Sequence, residues 1–540
     1  MTEPSNIQLN LMRRVNVGDM LTRNAARRPN HLAIVDGSRR FTALQFNRWV
    51  NRIAHGLLAL DYRRGEALAI LSRNTAEFLG IYLACAKIGV VCVPSNLLWK
   101  QTEMAYVLGH ARVRGICLQE EFLPQLAAVR AELPMLRDVI LLPEMGGMPA
   151  GAVDGMLAFG ALCDGMPDSE PEVLVEDNDA ISYLYTSGTT SAPKGVVSSH
   201  LSICMGAMGM ALDTGITWQD KVLALLPLFH TSPLNSLCTP ALAAGATIHV
   251  HPGFEAEAIL DLFEAEGISM LLALPVMYRT LMEAQERRPR RITGLRLALY
   301  GMAPMPDHEL RRAVEMFGCD FGLIFGQTEM SPVTSFFRPE HQFSHGGSAG
   351  TPAANVQIGI MDEAGNLLPA GQTGEIVYRS PQVLNGYLRN PEATAAVFRH
   401  GWFHSGDVGH FDADGLLWFK DRLKDVIKSG GENVASVEVE QALYDCEPDL
   451  QEVVAIGLPH DRWGEAVTAI AVVRPGRNVD AEALTLKLRQ RLSPYKCPKA
   501  VILVDQFPKT ATGKVQKAEL RARFAAYYSH GDGDVAERLA

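Results

Sequence analysis

The sequence contains a loop of glycine and small hydroxyl residues that ends in a lysine, and these residue types can take part in binding an anion. In TSGTTSAPKG, six of the eight residues from Thr186 to Pro193 are glycine or carry a hydroxyl, and Lys194 follows. Unobstructed backbone N–H groups, hydroxyl donors and an ammonium together can surround phosphate oxygens. The same composition is also typical of a flexible linker. The loop is not a Walker A motif, because Pro193-Lys194-Gly195 stands where that motif needs Gly-Lys-Ser/Thr.

Four further segments carry residue types that suit anionic substrates. They are the Thr-Glu pair of LIFGQTEM (323–330), the aspartate of GWFHSGDVG (401–409), the basic residues of DRLKDVIKSGGENV (421–434) and the terminal lysine of PKTATGK (508–514). Each of these, taken alone, is more typical of solvated surface. A glutamate oxygen can also bind Mg²⁺, a hard cation that prefers oxygen ligands.

Taken together, the five segments resemble the motifs of the adenylate-forming (AMP-binding) superfamily in order and spacing, over roughly residues 20–525. This superfamily contains acyl- and aryl-CoA synthetases, peptide-synthetase adenylation domains and luciferases. The resemblance implies an acyl-CoA synthetase of the fatty-acid–CoA ligase type that uses ATP, Mg²⁺ and coenzyme A. A carboxylate would attack the α-phosphorus of ATP, giving acyl-AMP and pyrophosphate. The thiol of coenzyme A would then displace AMP.

The resemblance also assigns roles to residues of this sequence. The implied ATP-binding residues are Thr186, Ser187, Gly188, Thr189, Thr190, Lys194, Gly301, Met302, Ala303, Phe325, Gly326, Asp407 and Arg422. The implied catalytic residues are Thr328, Glu329 (also the Mg²⁺ ligand), His230 and Lys514. Three positions depart from the family pattern: Phe325 replaces a tyrosine, Met302 replaces a second glycine, and Asp421 precedes Arg422 where glycine is usual.

For the second half-reaction, the resemblance implies a small C-terminal domain that rotates about one hinge residue. Counting from Arg422 identifies Lys424 as this hinge. The implied residues for coenzyme A are Ser429, Gly430, Gly431, Trp463 and Tyr495, although surface packing explains Trp463 almost equally well. The context of Lys514 resembles the acetylation site of many acyl-CoA synthetases, which implies a lysine acetyltransferase and a deacetylase as partners.

Alternating strand-like and helix-like segments predict an α/β fold for the elements that carry these motifs. Strands are expected at 31–37, 67–71, 90–94, 221–228, 246–252, 270–275 and 295–301, with helices at 42–60 and 75–88. From about residue 345, short alternating runs between turn residues predict a small antiparallel unit. A second α/β block follows, with helices at 436–446 and 481–492. We therefore expect a large N-terminal AMP-binding domain of mixed sheets over 1–420 and a small mobile C-terminal α/β domain over 421–540.

Composition and charge argue against several other classes of protein, among them nucleic-acid-binding and membrane-spanning proteins. The chain has 540 residues and a formal net charge of −10, so it lacks the broad basic footprint of nucleic-acid binding. Nine cysteines without a CxxC pair favour reduced thiols in the cytoplasm. The N-terminus does not resemble a signal peptide, and the most apolar segment, 78–94, contains Lys87 and reads as a buried helix and strand. No transmembrane segment is predicted, which leaves peripheral membrane contact open.

The substrate is the least determined part. Met205, Met208 and Met210 could fill the core or line a pocket for a variable apolar acid. The absence of a nearby Arg or Lys in these segments argues against dicarboxylic acids. A fatty or other apolar acid is the leading expectation. Aryl-CoA or carnitine/crotonobetaine-type ligases and a carrier-protein-loading adenylase remain alternatives, and a non-catalytic nucleotide-binding relative is a remote one.

Overall fold

The computed structural model describes residues 5–144, 155–186, 193–301, 305–509 and 515–528. Its described residues divide into two compact units. The first comprises residues up to Thr186, Pro193–Ile358 and Tyr378–Phe403, and the second comprises Gly359–Val377 and the described residues from His404 onward. The second unit therefore includes a segment that precedes residue 421. The domain boundary at 420/421 stays a prediction.

The described helices alternate with strands over most of the chain. They are α1 (Asn6–Arg13), α2 (Gly18–Arg27), α3 (Ala43–Ala59), α4 (Ala76–Ile88), α5 (Gln101–His110), α6 (Leu123–Val129), α7 (Phe159–Cys163), α8 (His200–Thr214), α9 (Thr231–Pro233), α10 (Thr239–Ala244), α11 (Ala256–Glu266), α12 (Pro275–Arg287), α13 (Asp307–Phe317), α14 (Pro391–Val397), α15 (Ser436–Cys446), α16 (Ala481–Arg491) and α17 (Lys517–Arg523). A π-helical turn, Leu234–Cys238, joins α9 to α10.

Two mixed sheets form the centre of the first unit. The first sheet has the order β16-β15-β14-β13-β12-β10-β11-β1-β2 and is parallel from β14 to β1, with antiparallel edges. Its strands are β1 (Leu32–Asp36), β2 (Arg39–Thr42), β10 (Lys221–Ala224), β11 (Thr247–Val250), β12 (Met270–Ala273), β13 (Leu297–Gly301), β14 (Asp320–Gly326), β15 (Val333–Phe337) and β16 (Thr351–Pro352).

The second sheet has the order β19-β9-β8-β4-β3-β5-β6-β7. Its strands are β3 (Ala67–Leu71), β4 (Val91–Pro94), β5 (Val113–Leu118), β6 (Asp138–Leu141), β7 (Leu157–Ala158), β8 (Ala180–Thr186), β9 (Lys194–Ser199) and β19 (Gly386–Tyr387). Helices α3 and α4 pack in the same core as both sheets, and every residue of α4 is buried. The apolar segment 78–94 is therefore the predicted buried helix and strand, with Lys87 bonded to Glu170 at 2.6 Å.

Two smaller sheets follow. One has the order β17-β18-β21-β20, with β22 paired to β21, and consists of β17 (Gln357–Met361), β18 (Gly374–Arg379), β20 (Phe398–Arg399), β21 (Trp402–Phe411) and β22 (Leu417–Arg422). The other has the order β24-β23-β26-β25, with β27 parallel to β26, and consists of β23 (Ile427–Ser429), β24 (Glu432–Val434), β25 (Leu450–His460), β26 (Gly464–Val473) and β27 (Ala500–Leu503). Helices α15 and α16 share the core of this last sheet.

The expected α/β class and the small antiparallel unit are thus confirmed. Thr42 caps α3 through a capping box with Gln45, as its position before the helix predicts. One strand is shorter than expected, because β10 ends at Ala224 rather than near residue 228. Beyond it, the amide of Asn74 donates to the carbonyl of Leu226 at 2.9 Å, so a side chain replaces the next ladder bond.

Candidate active site

The ends of the glycine-rich loop lie on two paired strands of the first unit. Strands β8 and β9 are antiparallel, with Thr186 and Lys194 as directly opposed partners. Ser187, Gly188, Thr189 and Thr190 lie outside the described residues. The sheet therefore holds the two ends of the loop opposite each other and places the Lys194 ammonium at the start of β9.

The Thr-Glu pair lies in a tight turn after β14. The strand ends at Gly326, and Thr328–Met330 form a 3₁₀ turn. A Cβ at Gly326 would come within 2.0 Å of the carbonyl oxygen of Pro332, so only glycine fits there. The aromatic position before this glycine, Phe325, is half-buried and opposes Ser335 on β15.

The neighbouring strand β13 ends at the same edge of the sheet. Gly301 is its last residue and is the partner of Ile324 on β14 in a parallel pair. Gly301 and Phe325 therefore come from the carboxyl ends of adjacent parallel strands, where ligands of open α/β sheets bind. Met302 and Ala303, the next two candidates for ATP, lie outside the described residues.

Tyr387 contacts both the loop lysine and the glutamate of the turn, and it is not among the site residues predicted from the sequence. Its hydroxyl donates to Oε1 of Glu329 at 2.9 Å, and the Lys194 ammonium lies 5.0 Å from the centre of its ring. The strand β19 pairs with β9, placing Tyr387 opposite Val196. The only signal was an aromatic after glycine in LNGYLRN, which says nothing of its partners.

His230 follows β10 and precedes α9. Its Nε2 atom is buried and has no hydrogen-bond partner among the described residues, and its ring lies 4.4 Å from that of Phe229. Burial lowers the pKa of His230 to about 4, so the imidazole is neutral at pH 7. A buried neutral imidazole with an unpaired nitrogen can donate to, or accept from, a substrate.

The three candidate methionines of α8 differ in burial, and Met205 is half-buried. Met210 is 3% exposed and lies in the core, whereas Met208 is 48% exposed. The same helix packs closely elsewhere: a Cβ at Gly206 would meet the carbonyl oxygen of Ser331 at 2.6 Å. Met210 therefore fills core, and the small residues of α8 admit the segment that follows the Thr-Glu turn.

In the second unit, Asp407 and Arg422 are opposed on paired strands. The strands β21 and β22 are antiparallel, and Nε of Arg422 lies 3.1 Å from Oδ1 of the 4%-exposed Asp407. Glu375 supports the turn before Asp407 by accepting from the backbone of Gly406 at 3.0 Å and bonding Nδ1 of His404 at 2.7 Å. Glu375 is a second residue of this region that no local pattern in the sequence indicates.

The proposed hinge lies in the turn after β22. Backbone bonds from Asp425 and Val426 to the carbonyl of Arg422 form this turn around Lys424. Burial, together with the nearby charge of Arg422, lowers the pKa of the Lys424 ammonium. Asp421, the departure from the family pattern, is buried, and its Oδ2 accepts from the backbone of Ser436 at 2.5 Å. Its carboxylate thus caps the start of α15.

The candidates for coenzyme A are only partly brought together. The backbone of Gly430 donates to the carbonyl of Trp463 at 2.8 Å, and Gly430 and Gly431 have φ of +63° and +87°. A Cβ at Gly430 would lie 3.0 Å from the indole of Trp463. Lys499 and Arg462 face that indole at 4.9 and 4.8 Å.

The other two C-terminal candidates are placed separately. Ser429 ends β23 and is buried, next to the two glycines. Tyr495 is 37% exposed in the turn between α16 and β27, with Lys496 5.7 Å from its ring. Lys514 lies outside the described residues. The segment that contains it is flanked by a bridge between Lys509 and Val515.

Comparison with known proteins places this arrangement in a family. The model of the AMP-binding enzyme family matches residues 21–388, and that of the AMP-binding enzyme C-terminal domain matches residues 438–514. The first match covers more than half of the chain. Both matches agree with the motif order described above.

Characterised relatives cover nearly the whole chain. A feruloyl-CoA synthase from Amycolatopsis sp is 34% identical over 95% of this chain and 100% of its own. An indoleacetate–CoA ligase from Aromatoleum aromaticum is 33% identical over 94% and 98%. A long-chain-fatty-acid–CoA ligase from Mycobacterium tuberculosis is 31% identical over 95% and 99%.

Solved structures agree with these relatives. The anthranilate CoA ligase AuaEII in complex with anthranoyl-AMP superposes with a TM-score of 0.85 at 28% identity, covering 94% of this chain and 96% of its own. The o-succinylbenzoate CoA synthetase of Bacillus subtilis with ATP and magnesium gives 0.81 at 27% identity, covering 93% and 98%. Sequence and fold thus confirm the resemblance: the chain belongs to the AMP-binding enzyme family and is an ATP-dependent, AMP-forming acyl-CoA synthetase.

Proposed function

We propose that this enzyme joins a fatty or other apolar carboxylic acid to coenzyme A through an acyl-adenylate. The observation that carries the assignment of roles is the position of Lys194 and Glu329, an ammonium and a carboxylate that both contact Tyr387 at the end of the glycine-rich loop. The ammonium suits the phosphates of ATP, and the carboxylate suits the cation that accompanies these phosphates.

In the first half-reaction, the 186–194 loop binds the β- and γ-phosphates, and Lys194 stabilises the departing pyrophosphate. Thr328 contacts the α-phosphate, Phe325 stacks on adenine beside Gly301, Met302, Ala303 and Gly326, and Asp407 with Arg422 binds the ribose. Lys514 offsets the repulsion between the acid and the α-phosphate. His230 lies near the acyl group and the path of the thiol.

Glu329 is the proposed ligand of Mg²⁺. Within the part of the chain that the structure describes, no three His, Cys, Asp or Glu side chains converge to hold a metal ion. A single carboxylate fits Mg²⁺, which proteins commonly bind through one or two carboxylates plus substrate phosphates. When bound, Mg²⁺ would neutralise charge on the phosphate oxygens.

In the second half-reaction, the C-terminal domain rotates about Lys424. Ser429, Gly430 and Gly431 then flank the pantetheine arm, and Trp463 and Tyr495 offer aromatic faces to the nucleotide of coenzyme A. The positive φ angles of the two glycines and the cations beside Trp463 support this assignment. Aromatic and cationic groups together suit an adenine that carries phosphates.

An aryl acid is the second candidate substrate class, because the feruloyl-CoA synthase and the indoleacetate–CoA ligase are slightly more similar to this chain than the long-chain-fatty-acid–CoA ligase. Carnitine-type acids and a carrier protein as acyl acceptor are lesser alternatives. A screen of AMP release across fatty, aryl and quaternary-amine acids, with and without coenzyme A, distinguishes them. Release that requires a carrier protein, or no acid-dependent pyrophosphate exchange at all, would overturn the proposal.

We further propose that the enzyme acts in the cytoplasm, without nucleic-acid partners. None of the helices in the described ranges has the length and apolar character needed to cross a bilayer.

We also propose that acetylation of Lys514 switches off adenylation. Acetylation would remove the ammonium charge that adenylation requires. Mass spectrometry paired with activity before and after deacetylase treatment tests this, and full adenylation by stoichiometrically acetylated enzyme would contradict it.

A further inference from the structure

Tyr387 lies between two opposite charges that both belong to the proposed ATP site. Its ring faces the ammonium of Lys194, at 5.0 Å, and its hydroxyl donates to the carboxylate of Glu329, at 2.9 Å. All three residues belong to the first unit. Each charge therefore has a neutral aromatic residue as its partner.

The backbone around Tyr387 is bonded to both charged segments. In the segment Leu384–Leu388, the first residue donates to the carbonyl of Glu329 and the last donates to the carbonyl of Gly195, both at 2.8 Å. The backbone of Tyr387 itself donates to Oγ1 of Thr394 at 2.9 Å. This segment thus fixes the Thr-Glu turn relative to the start of β9.

Gly386 allows the backbone to adopt the conformation that this segment requires. Its φ is +151°, and a Cβ there would lie 3.0 Å from the side chain of Thr394. A residue with a side chain would be strained in this conformation. The glycine therefore allows the next residue, Tyr387, to reach between Lys194 and Glu329.

The opposite charges of Lys194 and Glu329 attract each other, and both groups contact the same tyrosine. A direct ion pair between them is the arrangement that competes with these two contacts. Such a pair would have to break before the lysine could bind phosphate and the carboxylate could bind a cation. The ring offers the ammonium a cation–π contact, and the hydroxyl offers the carboxylate one hydrogen bond. Both contacts leave further ligand positions on each group available.

We propose that Tyr387 is a positioning residue that keeps Glu329 from pairing with Lys194, so that the carboxylate remains available to the divalent cation of the nucleotide. This inference rests on the proposed function, in which Glu329 binds Mg²⁺. It predicts that loss of the hydroxyl alone impairs metal binding more than turnover.

Tyr387→Phe tests this directly, since it keeps the ring and removes the hydroxyl. The half-saturating Mg²⁺ concentration for adenylation should rise about 10- to 150-fold, the range expected for losing a hydrogen bond to a charged group. The kcat at saturating Mg²⁺ should stay within about threefold of the wild type. Mn²⁺ binding to the enzyme with a non-hydrolysable ATP analogue, followed by electron paramagnetic resonance, should weaken by the same factor as Mg²⁺ dependence.

A second variant separates the proposed cause from a general structural effect. If the carboxylate pairs with Lys194 in Tyr387→Phe, adding Lys194→Met should bring Mn²⁺ affinity to within about twofold of Lys194→Met alone. Tyr444→Phe is the matched control, because it also removes a hydrogen-bonded tyrosine hydroxyl, which here accepts from the backbone of Val453 at 3.2 Å in the second unit. This control should leave Mn²⁺ affinity unchanged.

Two results would overturn the inference. One is unchanged Mn²⁺ affinity in Tyr387→Phe, and the other is a loss of turnover that is equal at every Mg²⁺ concentration. Failure of the proposed function is distinguishable, because it would show as absent acid-dependent pyrophosphate exchange in the wild-type enzyme. The Mn²⁺ measurement needs no turnover and decides the role of Tyr387 in either case.

Discussion

In the first unit, the ammonium of Lys194 and the carboxylate of Glu329 each contact Tyr387, whereas in the second unit Lys517 contacts the carboxylate of Glu440 directly, at 2.8 Å. Lys517 also donates to Oγ of Ser436 at 2.5 Å. Glu440 accepts from the backbone of Ala455 at 2.9 Å. The pair in the second unit therefore has protein partners on both charges.

The difference indicates two uses of charge. In the proposed ATP site, the ammonium of Lys194 and the carboxylate of Glu329 each contact an intermediate aromatic residue, and we infer that this contact keeps the two charges from pairing. Groups that hold secondary structure together are paired directly, because removing either partner would leave a charge uncompensated. Substitutions should accordingly affect chemistry in the first region and stability in the second.

The largest expected effect concerns a charge of the C-terminal region that the proposal assigns to chemistry, not stability. Lys514→Ala should lower the rate of adenylation by about 100-fold or more, because it removes the positive charge that offsets the repulsion between the acid and the α-phosphate. Thioester formation from supplied acyl-adenylate should survive. Single-turnover assays of each half-reaction check this, and equal loss in both would refute the assigned role.

The hinge proposal predicts a loss confined to the other half-reaction. Lys424→Pro fixes φ near −65° and removes a backbone donor, so a residue that needs two backbone states would be held in one. Thiolation should fall by about 100-fold while adenylation persists. Pyrophosphate exchange and thioester formation, measured on the same preparation, give the two rates. Unimpaired overall turnover would place the hinge elsewhere.

The directly paired lysine should matter to stability. Lys517→Met should lower the free energy of unfolding by about 1–3 kcal/mol, because Glu440 loses its counter-charge. Lys509→Met is the matched control: its ammonium pairs with Glu452 at 2.7 Å, but its side chain is 38% exposed, so less than about 1 kcal/mol is expected. Denaturant titration measures both. Equal losses in the two variants would remove the contrast.

The smallest expected change is in the pH dependence of stability, to which two buried histidines of the first unit contribute. Burial lowers the pKa of both His230 and His249 to about 4, and neither ring nitrogen of His249 has a hydrogen-bond partner among the described residues. With an unfolded pKa near 6.5, the unfolded chain binds protons that the folded chain does not between about pH 6.5 and 4. Their contribution to stability is therefore present above pH 6.5 and lost as the pH falls.

Replacing a histidine should remove its share of this pH dependence. Between pH 7.5 and pH 5.5, the free energy of unfolding of His249→Leu should fall by about 1 kcal/mol less than that of the wild type. His249→Leu should keep its activity. His230→Leu should weaken the pH dependence of stability and should also lose activity. Denaturant titrations at the two pH values, with an adenylation assay, compare them. An unchanged pH dependence in His249→Leu would show that this imidazole is not held neutral.

The sequence by itself determined the family, the α/β class and the approximate position of most elements. Local signals were sufficient there, because glycine-rich loops, capping residues and alternating patterns act over a few positions. The strand at 67–71 and the helix at 436–446 have the predicted bounds. The strand β10 ends earlier than its apolar run predicts, at the point where the side-chain amide of Asn74, about 150 positions earlier, donates to the carbonyls of Ala224 and Leu226.

Only the tertiary structure decided which side chains support the candidate site. Tyr387 lies 58 positions from Glu329 and reaches it because β19 pairs with β9. Asp421 gains its role as a cap of α15 through a bond that spans 15 positions. No local pattern around Tyr387 or Asp421 specifies these partners, because the hydrogen bonds join segments that are distant in the sequence. Their functions arise from contacts between distant segments, which a single sequence does not specify.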